Sequence, residues 1–473
     1  MNGSAPIRPP AGKASFWQSL RQAVHGSQED FTQGGLSRAI VLLAIPMVLE
    51  MVMESVFAIC DVFFVSRLGA NAVATVGFTE SLLTLVFSLA IGLSMGTTAL
   101  VARRTGEKDP EGANVAGAQA ILIGLIASVV VGAVGILTGP AALSLLGASE
   151  DVVAMGSGYA RILLGGSGTV MLLFIINAVF RGAGDAAVAM RVLWLANLIN
   201  LVLDPCLIFG LGPFPQLGVA GAAVATTVGR GTGVAYQFWV LARGTSRVRI
   251  RLSEIRLVPR VMTALLRVSS GGIFQVLVAT CSWVALVRII ALFGSTAVAG
   301  YTIAIRVVIF SILPAWGMAN AAATLVGQNL GAGKPDRAER SAWLTGLYNM
   351  VFLGCIAALF LVFGESIISL FSPDPGVLAI GTECLRIISY GYLFYALGMV
   401  VVQAFNGAGD TTTPSLINFF CYWLFQIPLA YWLAVSSEMG PRGVFWAIAI
   451  AETMITLVGA SVFRLGRWKK RQV

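Results

Sequence analysis

The sequence predicts an all-α membrane protein of twelve transmembrane helices, arranged as two six-helix repeat lobes. Composition is the first observation: 57% of the 473 residues are hydrophobic, 11% are charged, and the mean hydropathy is +0.85. The second is the regular recurrence of apolar segments long enough to cross a bilayer. The third is a set of short motifs that return 225 residues later. Together these observations exclude a soluble globular domain.

Each predicted span is an apolar segment of the length that a membrane-spanning helix needs. In chain order they are 37–66, 74–102, 115–139, 155–181, 187–211, 217–242, 263–292, 298–328, 341–364, 379–405, 412–435 and 443–464. The predicted units are an N-terminal arm (1–36), an N-lobe (37–242), a basic linker (243–262), a C-lobe (263–464) and a basic tail (465–473).

The N-terminal arm is polar and lacks the apolar core of a cleavable signal peptide. Phe16, Trp17, Leu20 and Val24 fall at near-helical spacing, with Arg21 beside them. This pattern is typical of a short helix on the membrane surface, and a disordered tail is the alternative.

Charge in the connections predicts the orientation of the chain. Lys and Arg concentrate in connections such as 103–108, 243–260 and 334–340, whereas 140–154 and 365–378 have none. By the positive-inside rule, both termini are expected in the cytoplasm, and the protein is expected to be a multi-pass component of the cell (inner) membrane.

Repeated motifs predict an internal duplication. LGANAVA at 68–74 returns as FGSTAVA at 293–299, and GAGD at 182–185 returns at 407–410. The same 225-residue offset holds from the first span to the fourth, which indicates a duplicated six-helix unit. Because each unit has an even number of spans, both halves have the same orientation in the membrane. In each GAGD, we expect glycine to end one helix and aspartate to cap the next.

The first span carries Glu50, Glu54 and Asp61 on one helical face, within about 40° of one another. Carboxylates are costly in hydrocarbon, so this face should line the bundle interior or a wet cavity. Pro46 lies one turn before the first acid and is placed to kink the helix. The alternative is that Glu50 and Glu54 only pair with a buried arginine.

Further polar side chains are predicted to converge from spans 4, 5 and 6. They are Asn177 in span 4, Asn197, Asn200 and Asp204 along one face of span 5, and Thr226 and Thr227 in span 6. Carboxylates, amides and a hydroxyl in a dry bundle make a site for Na⁺ or, equally, for a proton carried on a carboxylate. The structural alternative is a polar network that only holds these spans together.

Other metal sites are not indicated. The six cysteines form no CxxC pair, and the single histidine, His25, lies in the N-terminal arm.

The pattern resembles the MATE (multidrug and toxic compound extrusion) family of secondary transporters. The matching stretches are Pro46 and Asp61 followed by RLGANAVATVGF (67–78), NAVFRGAGD (177–185), NLINLVLDPCLIFG (197–210), LGVAGAAVAT (217–226) and LVGQNLGAGKPDRA (325–338). The resemblance implies two lobes that form a V around a central cavity. Matched by position, it implies an ion- or proton-coupling site of Asp61, Asn177, Asn200, Asp204 and Thr226. Some branches carry an acid in span 7, where this chain has Arg288, so their second-lobe ion site is not expected here.

The resulting hypothesis is an antiporter that exports amphipathic, often cationic organic compounds in exchange for H⁺ or Na⁺, with no cofactor. Small organic substrates and membrane lipid are the expected partners. Adaptable side chains and acids are expected to line the substrate cavity: Met47, Met51, Met171, Glu50, Glu54 and Asn197, with Phe57 and Phe174.

Three other classes of function are alternatives to the antiporter. One is a flippase for a lipid-linked anionic precursor, in which Arg230, Arg288 and Arg306 would grip a phosphate. A non-transporting receptor or scaffold is the second, and intramembrane acids argue against it. The third is an enzyme, for which no catalytic constellation is present. Nucleotide and nucleic acid are not expected as partners, because GQNLGAGKP (327–335) lacks the GxxxxGK[ST] spacing.

Overall fold

The computed structural model describes residues 16–27, 29–250 and 256–471, and these residues are almost entirely helical. A short helix precedes the N-lobe, α1 (Phe16–His25). The N-lobe contains α2 (Leu36–Ser66), α3 (Ala70–Gly106), α4 (Pro110–Leu145), α5 (Glu150–Gly165), α6 (Ser167–Ala183), α7 (Ala186–Phe209) and α8 (Val219–Arg243).

The C-lobe repeats this order and ends in a short 3₁₀ turn at Arg467–Lys470. Its helices are α9 (Pro259–Ile290), α10 (Ser295–Gly331), α11 (Pro335–Ser369), α12 (Pro375–Tyr390), α13 (Tyr392–Gly407), α14 (Thr412–Asn418), α15 (Ile427–Tyr431) and α16 (Pro441–Arg464). π-Helical turns at Phe419–Gln426 and Trp432–Ser436 make α14 and α15 one continuous span.

All twelve predicted spans coincide with helices in the structure. Among the described residues, ten helical segments are long and apolar enough to cross a membrane. An eleventh is the pair α12–α13, which bends by 59° at its junction. The twelfth predicted span is α8, a less apolar helix that packs between α7 and α5.

Backbone geometry reproduces the predicted duplication. Gly69 and Gly294 precede equivalent helices with φ of 98° and 93°. Gly184 and Gly409, the glycines of the two GAGD motifs, have φ of 88° and 81°. Such angles favour glycine because it lacks a Cβ atom.

The two GAGD aspartates behave differently from each other. Asp410 accepts hydrogen bonds from the Thr413 hydroxyl at 2.7 Å and the Thr413 amide at 3.4 Å, which is the predicted cap. Asp185 makes no capping bond; its Oδ2 accepts from the Ser246 hydroxyl at 2.6 Å and the Arg247 amide at 3.0 Å. The capping prediction is therefore wrong for Asp185, because the segment that follows α8 competes for its carboxylate.

Each lobe has a large apolar core, and the lobes meet along α2, α3, α9 and α10. Gln328 Nε2 on α10 donates to the Gly182 carbonyl on α6 at 2.9 Å. Arg103 on α3 donates to the Ala408 carbonyl at 3.4 Å and to the Arg471 carbonyl at 2.8 Å. These bonds join the lobes at the end of the molecule where both described termini lie, which we call the terminal face.

The arm is helical over α1, which packs against α2 and α7 rather than standing alone. Residues 29–35, which we call the strap, cross from one lobe to the other. Arg247 Nη2 donates to the Glu29 carbonyl at 2.7 Å on the N-lobe side, and Lys334 Nζ donates to the Thr32 carbonyl at 2.9 Å on the C-lobe side. The strap therefore adds bonds to both lobes at the terminal face.

Candidate functional site

Four of the predicted coupling residues come together inside the N-lobe. Asp204 is fully buried on α7, and Asn200 lies one turn earlier on the same face. With the Asn200 amide oriented by its partners, Nδ2 donates to Asp204 Oδ2 at 2.8 Å, and Oδ1 accepts from the Thr226 hydroxyl at 3.0 Å. The opposite orientation would turn the amide oxygen toward a carboxylate, so we assign the first one.

Asp61 completes this group from α2. It is half-buried and lies close enough to Asp204 for the two carboxylates to interact electrostatically. Oδ1 of Asp61 and Oδ1 of Asp204 are buried, and neither has a hydrogen-bond partner among the described residues. Glu80 adds negative charge nearby, and Arg230 partly offsets it. Buried acceptors without partners are costly, so this arrangement suits a bound cation or proton.

Asn177 lies in a second polar cluster. Its Nδ2 donates to Glu50 Oε1 at 3.1 Å, and its Oδ1 accepts from Gln237 Nε2 at 2.8 Å. Arg181 Nη1 donates to the same Glu50 oxygen at 2.8 Å. The structure thus brings Asn177 to Glu50, and no hydrogen bond joins it to Asn200 or Asp204 within the described ranges.

A third cluster surrounds Glu54. Asn197 Nδ2 donates to Glu54 Oε2 at 3.1 Å, and Arg230 Nη2 lies 3.4 Å from Oε1. The Arg230 guanidinium is flanked by the rings of Phe57 and Phe87 at 5.6 Å and 5.5 Å. Glu50 and Glu54 are therefore both engaged by buried arginines, which is the alternative that the sequence left open for them.

A cavity lies between the lobes, just inside the contacts of the terminal face. Its N-lobe wall is formed by Met51, Ile91, Ser94, Met95, Thr98, Phe174 and Arg181. Its C-lobe wall is formed by Trp316, Asn320, Ala323, Gln403, Asn406 and Gly407. Met51 and Phe174, both expected at the substrate cavity, are among the residues that line this one. Met171 is instead buried in the N-lobe core, and Met47 is buried where α2 packs against α10, because both point into helix contacts.

The polar C-lobe wall was missed in the sequence. Gln403 Nε2 donates to Asn320 Oδ1 at 3.0 Å, and Asn406 Nδ2 donates to Gln403 Oε1 at 2.9 Å. Asn320 and Gln403 within two apolar spans, with Asn406 directly after the second, were the available signal, since uncharged amides in hydrocarbon also need partners.

The three arginines of the flippase alternative do not converge. Arg230 is turned toward Glu54 within the N-lobe, whereas Arg288 and Arg306 are exposed on the C-lobe. Arg306 is close enough to Glu80 to interact with it electrostatically.

Among the residues described, no group of three or more His, Cys, Asp or Glu side chains is placed to hold a metal ion.

Curated relatives cover nearly the whole chain. The "Probable multidrug resistance protein NorM" of Thermotoga maritima is 27% identical over 444 residues, covering 93% of this chain and 94% of its own length. The "FAD transporter" of Shewanella oneidensis is 26% identical over 421 residues, covering 89% and 92%.

Solved structures show the same fold. One is the outward-facing conformation of a multidrug resistance MATE family transporter of the MOP superfamily. It superposes with a TM-score of 0.88 at 26% identity, over 93% of this chain and 98% of that one. A MOP superfamily transporter from Pyrococcus furiosus, whose title reports a binding pocket of reversed polarity, gives 0.87 at 26% identity over the same shares. The likeness confirms the all-helical, two-lobed architecture.

The MatE family profile matches two stretches of this chain, 46–206 and 272–432. One match falls in each lobe, which confirms the duplication. The chain therefore belongs to the MatE family, whose members are membrane transporters and not enzymes.

Proposed function

We propose that this protein exports amphipathic, often cationic organic compounds in exchange for inward H⁺ or Na⁺. The observation that carries the proposal is the pair of half-buried Asp61 and fully buried Asp204. Each has one buried carboxylate oxygen without a hydrogen-bond partner among the described residues. Asn200 donates to Asp204 and is itself oriented by the Thr226 hydroxyl. Relatives named as multidrug resistance proteins support export as the direction of transport.

Helix α2 is the element that couples ion to substrate. It carries Asp61 at the ion site, Met51 in the cavity wall and Met47 in the contact with Gly317 of α10. An ion at Asp61 changes the charge on α2, and any shift of α2 alters both the cavity and the contact between lobes. Exchange requires only that ion and substrate favour opposite states of the two lobes.

The cavity suits ligands that combine an apolar body with a polar group. Its apolar wall includes methionine, phenylalanine and tryptophan side chains, which adapt to different shapes. Because Glu50 neutralises Arg181, the cavity wall carries no net charge from this pair.

The test is efflux of a fluorescent organic cation from proteoliposomes, with a pH gradient and a Na⁺ gradient imposed separately. Asp61→Asn should abolish the response to the driving gradient. Glu365→Gln, which removes an exposed acid on α11, should leave it unchanged. Wild-type efflux by the Asp61→Asn variant would contradict the site. If neither gradient drove efflux of the wild-type protein, the antiport mechanism would be contradicted.

Transport of an organic anion is the second candidate. The exposed Arg288 and Arg306 on the C-lobe favour it, and so does the relative named as an FAD transporter. The same liposomes loaded with FAD or with a labelled lipid-linked phosphate distinguish the two. Movement of an anion that is lost in Arg288→Gln/Arg306→Gln, without movement of any organic cation, would favour the anion transporter or flippase.

A further inference from the structure

A basic pocket opens on the terminal face of the C-lobe, away from the cavity between the lobes. It is lined by Arg267 and Val268 on α9, Gly409, Thr411 and Thr412 at the start of α14, and Lys470 and Arg471 in the tail. Three cationic side chains therefore surround one concavity, and no acid of the described part of the chain lines it.

The positive charge of this pocket is largely uncompensated. Arg267 and Lys470 make no side-chain hydrogen bond or ion pair within the residues that the structure describes, and both are exposed. Arg471 lies 3.9 Å from Asp410, the nearest carboxylate. Asp410 therefore offsets at most one of the three positive charges, and those of Arg267 and Lys470 remain free to meet an anion.

Comparison of the two repeats shows that the pocket is a divergent feature. At the 225-residue offset, Arg267, Thr411 and Thr412 correspond to Leu42, Ala186 and Ala187 of the N-lobe. That N-lobe position is filled. Leu42 and Ala186 pack in one cluster with Ala23 and Phe31 of the arm, and Gly26 lies against Ala187.

The C-lobe copy has exchanged apolar residues for cationic and hydroxyl-bearing ones, and no segment of the described chain fills it. A site that only needed filling would have kept apolar residues, as the N-lobe copy did. The exchange instead favours a polar, negatively charged occupant.

An exposed apolar surface continues from the pocket into the membrane. Phe274 lies two turns after Arg267 on α9, and Leu416 lies one turn after Thr412 on α14. Their exposed fractions are 47% and 51%, and the ring of Phe274 lies 6.3 Å from that of Phe419. A bound molecule can therefore place an anion in the pocket and apolar chains along these helices.

We propose that this pocket binds the phosphate of an anionic phospholipid from the leaflet at the terminal face, which the positive-inside rule assigns to the cytoplasm. Cytoplasmic leaflets carry anionic lipids, and basic pockets beside transmembrane helices suit their headgroups. A free phosphate shares the headgroup chemistry but cannot use Phe274 and Leu416.

Binding of short-chain dioctanoyl phosphatidylglycerol to the purified full-length protein in detergent tests the proposal. Microscale thermophoresis gives its affinity beside those of dioctanoyl phosphatidylcholine and inorganic phosphate. Phosphatidylglycerol should bind most tightly, and Arg267→Gln/Lys470→Gln should weaken it by roughly 30-fold. The matched control Arg340→Gln/Arg467→Gln removes two exposed charges of the same face outside the pocket, and it should change affinity by less than about threefold.

Three outcomes would overturn the proposal: equal affinity for the two lipids, equal loss in both double variants, or inorganic phosphate binding as tightly as phosphatidylglycerol. Arg267→Leu, which restores the N-lobe residue, is the second variant if the double variant does not fold. Loss of phosphatidylglycerol binding in Arg267→Leu supports the site, and unchanged binding contradicts it. None of these variants touches the ion site, so the result is independent of the proposed transport activity.

Discussion

At the scale of single residues, the buried ion pairs of the N-lobe decide which acids remain available to an ion. Glu50 and Arg181 neutralise each other, with both side chains at most 10% exposed, and Glu54 is engaged by Arg230 in the same way. Asp61 and Asp204 lack such partners, although Arg230 reaches Asp61 electrostatically. Of the four acids on α2 and α7, the two that form ion pairs with arginines are structural, and the other two remain available to an ion.

Removing Arg181 should therefore destabilise the protein. Arg181→Met leaves the Glu50 carboxylate buried without its cation, which costs about 3 kcal/mol and should lower the midpoint of thermal unfolding in detergent. Glu50→Gln/Arg181→Met should recover most of the loss, because no unpaired charge remains. Arg161→Met, at an exposed position, serves as the control. Equal midpoints for Arg181→Met and the control would show that the pair does not stabilise the fold.

Of two adjacent threonines on α8, only one is hydrogen-bonded to a residue of the ion site. The Thr226 hydroxyl donates to Asn200, whereas the Thr227 hydroxyl donates to the Ala223 carbonyl of its own helix at 2.8 Å. Thr226→Val should raise the concentration of the coupling ion needed for half-maximal efflux by about fivefold, the effect of one lost hydrogen bond. Thr227→Val should leave it within about twofold, and equal shifts in both would contradict the assignment of Thr226.

At the scale of elements, α2 and α10 approach each other at a glycine. A Cβ atom on Gly317 would lie 2.7 Å from the carbonyl carbon of Met47 and 2.9 Å from Cα of Val48, and these backbone atoms cannot move independently. This contact holds the two lobes together directly beside the cavity.

Gly317→Ala should consequently push the lobes apart at the terminal face. Spin labels introduced at Lys108 and Arg340, one on each lobe in a cysteine-free background, should show a longer distance component by double electron–electron resonance. Gly158→Ala on α5, where an added Cβ meets no atom within 4 Å, should leave the distribution unchanged. An unchanged distribution in Gly317→Ala would mean that this contact does not hold the lobes together.

At the scale of the whole molecule, the strap and the tail tie the lobes together at one end. Arg337 on α11 donates to the carbonyls of Phe31, Gln33 and Gly34 at 3.3 Å, 2.8 Å and 2.9 Å. Arg247 holds the strap from the N-lobe side and lies over the Phe31 ring at 5.1 Å. Any movement that separates the lobes at the terminal face must therefore break bonds on one side of the strap.

Arg337→Gln should loosen the strap, because the shorter side chain cannot reach three carbonyls. Hydrogen–deuterium exchange of residues 29–35 should become at least about tenfold faster. Arg340→Gln, which removes a nearby exposed charge, should leave that exchange unchanged. If exchange in the strap were equal in the two variants, the Arg337 bonds would not hold it.

The sequence by itself determined the twelve helices, their duplication and the concentration of buried acids in the N-lobe. Hydropathy and helical periodicity are local properties, so Glu50, Glu54 and Asp61 could be placed on one face of α2 without knowledge of its neighbours. The positive φ of Gly184 and Gly409 followed from their motif for the same reason.

Only the tertiary structure decided which partner each polar side chain meets. Arg181 engages Glu50, Asn177 joins that pair, and the amides of α10 and α13 form the far wall of the cavity. Helical periodicity fixes the direction in which a side chain points around the helix axis. Which residue that side chain meets depends on how helices distant in sequence pack together. The basic pocket likewise required Arg267 on α9 and Lys470 in the tail, about 200 residues apart, to meet in space.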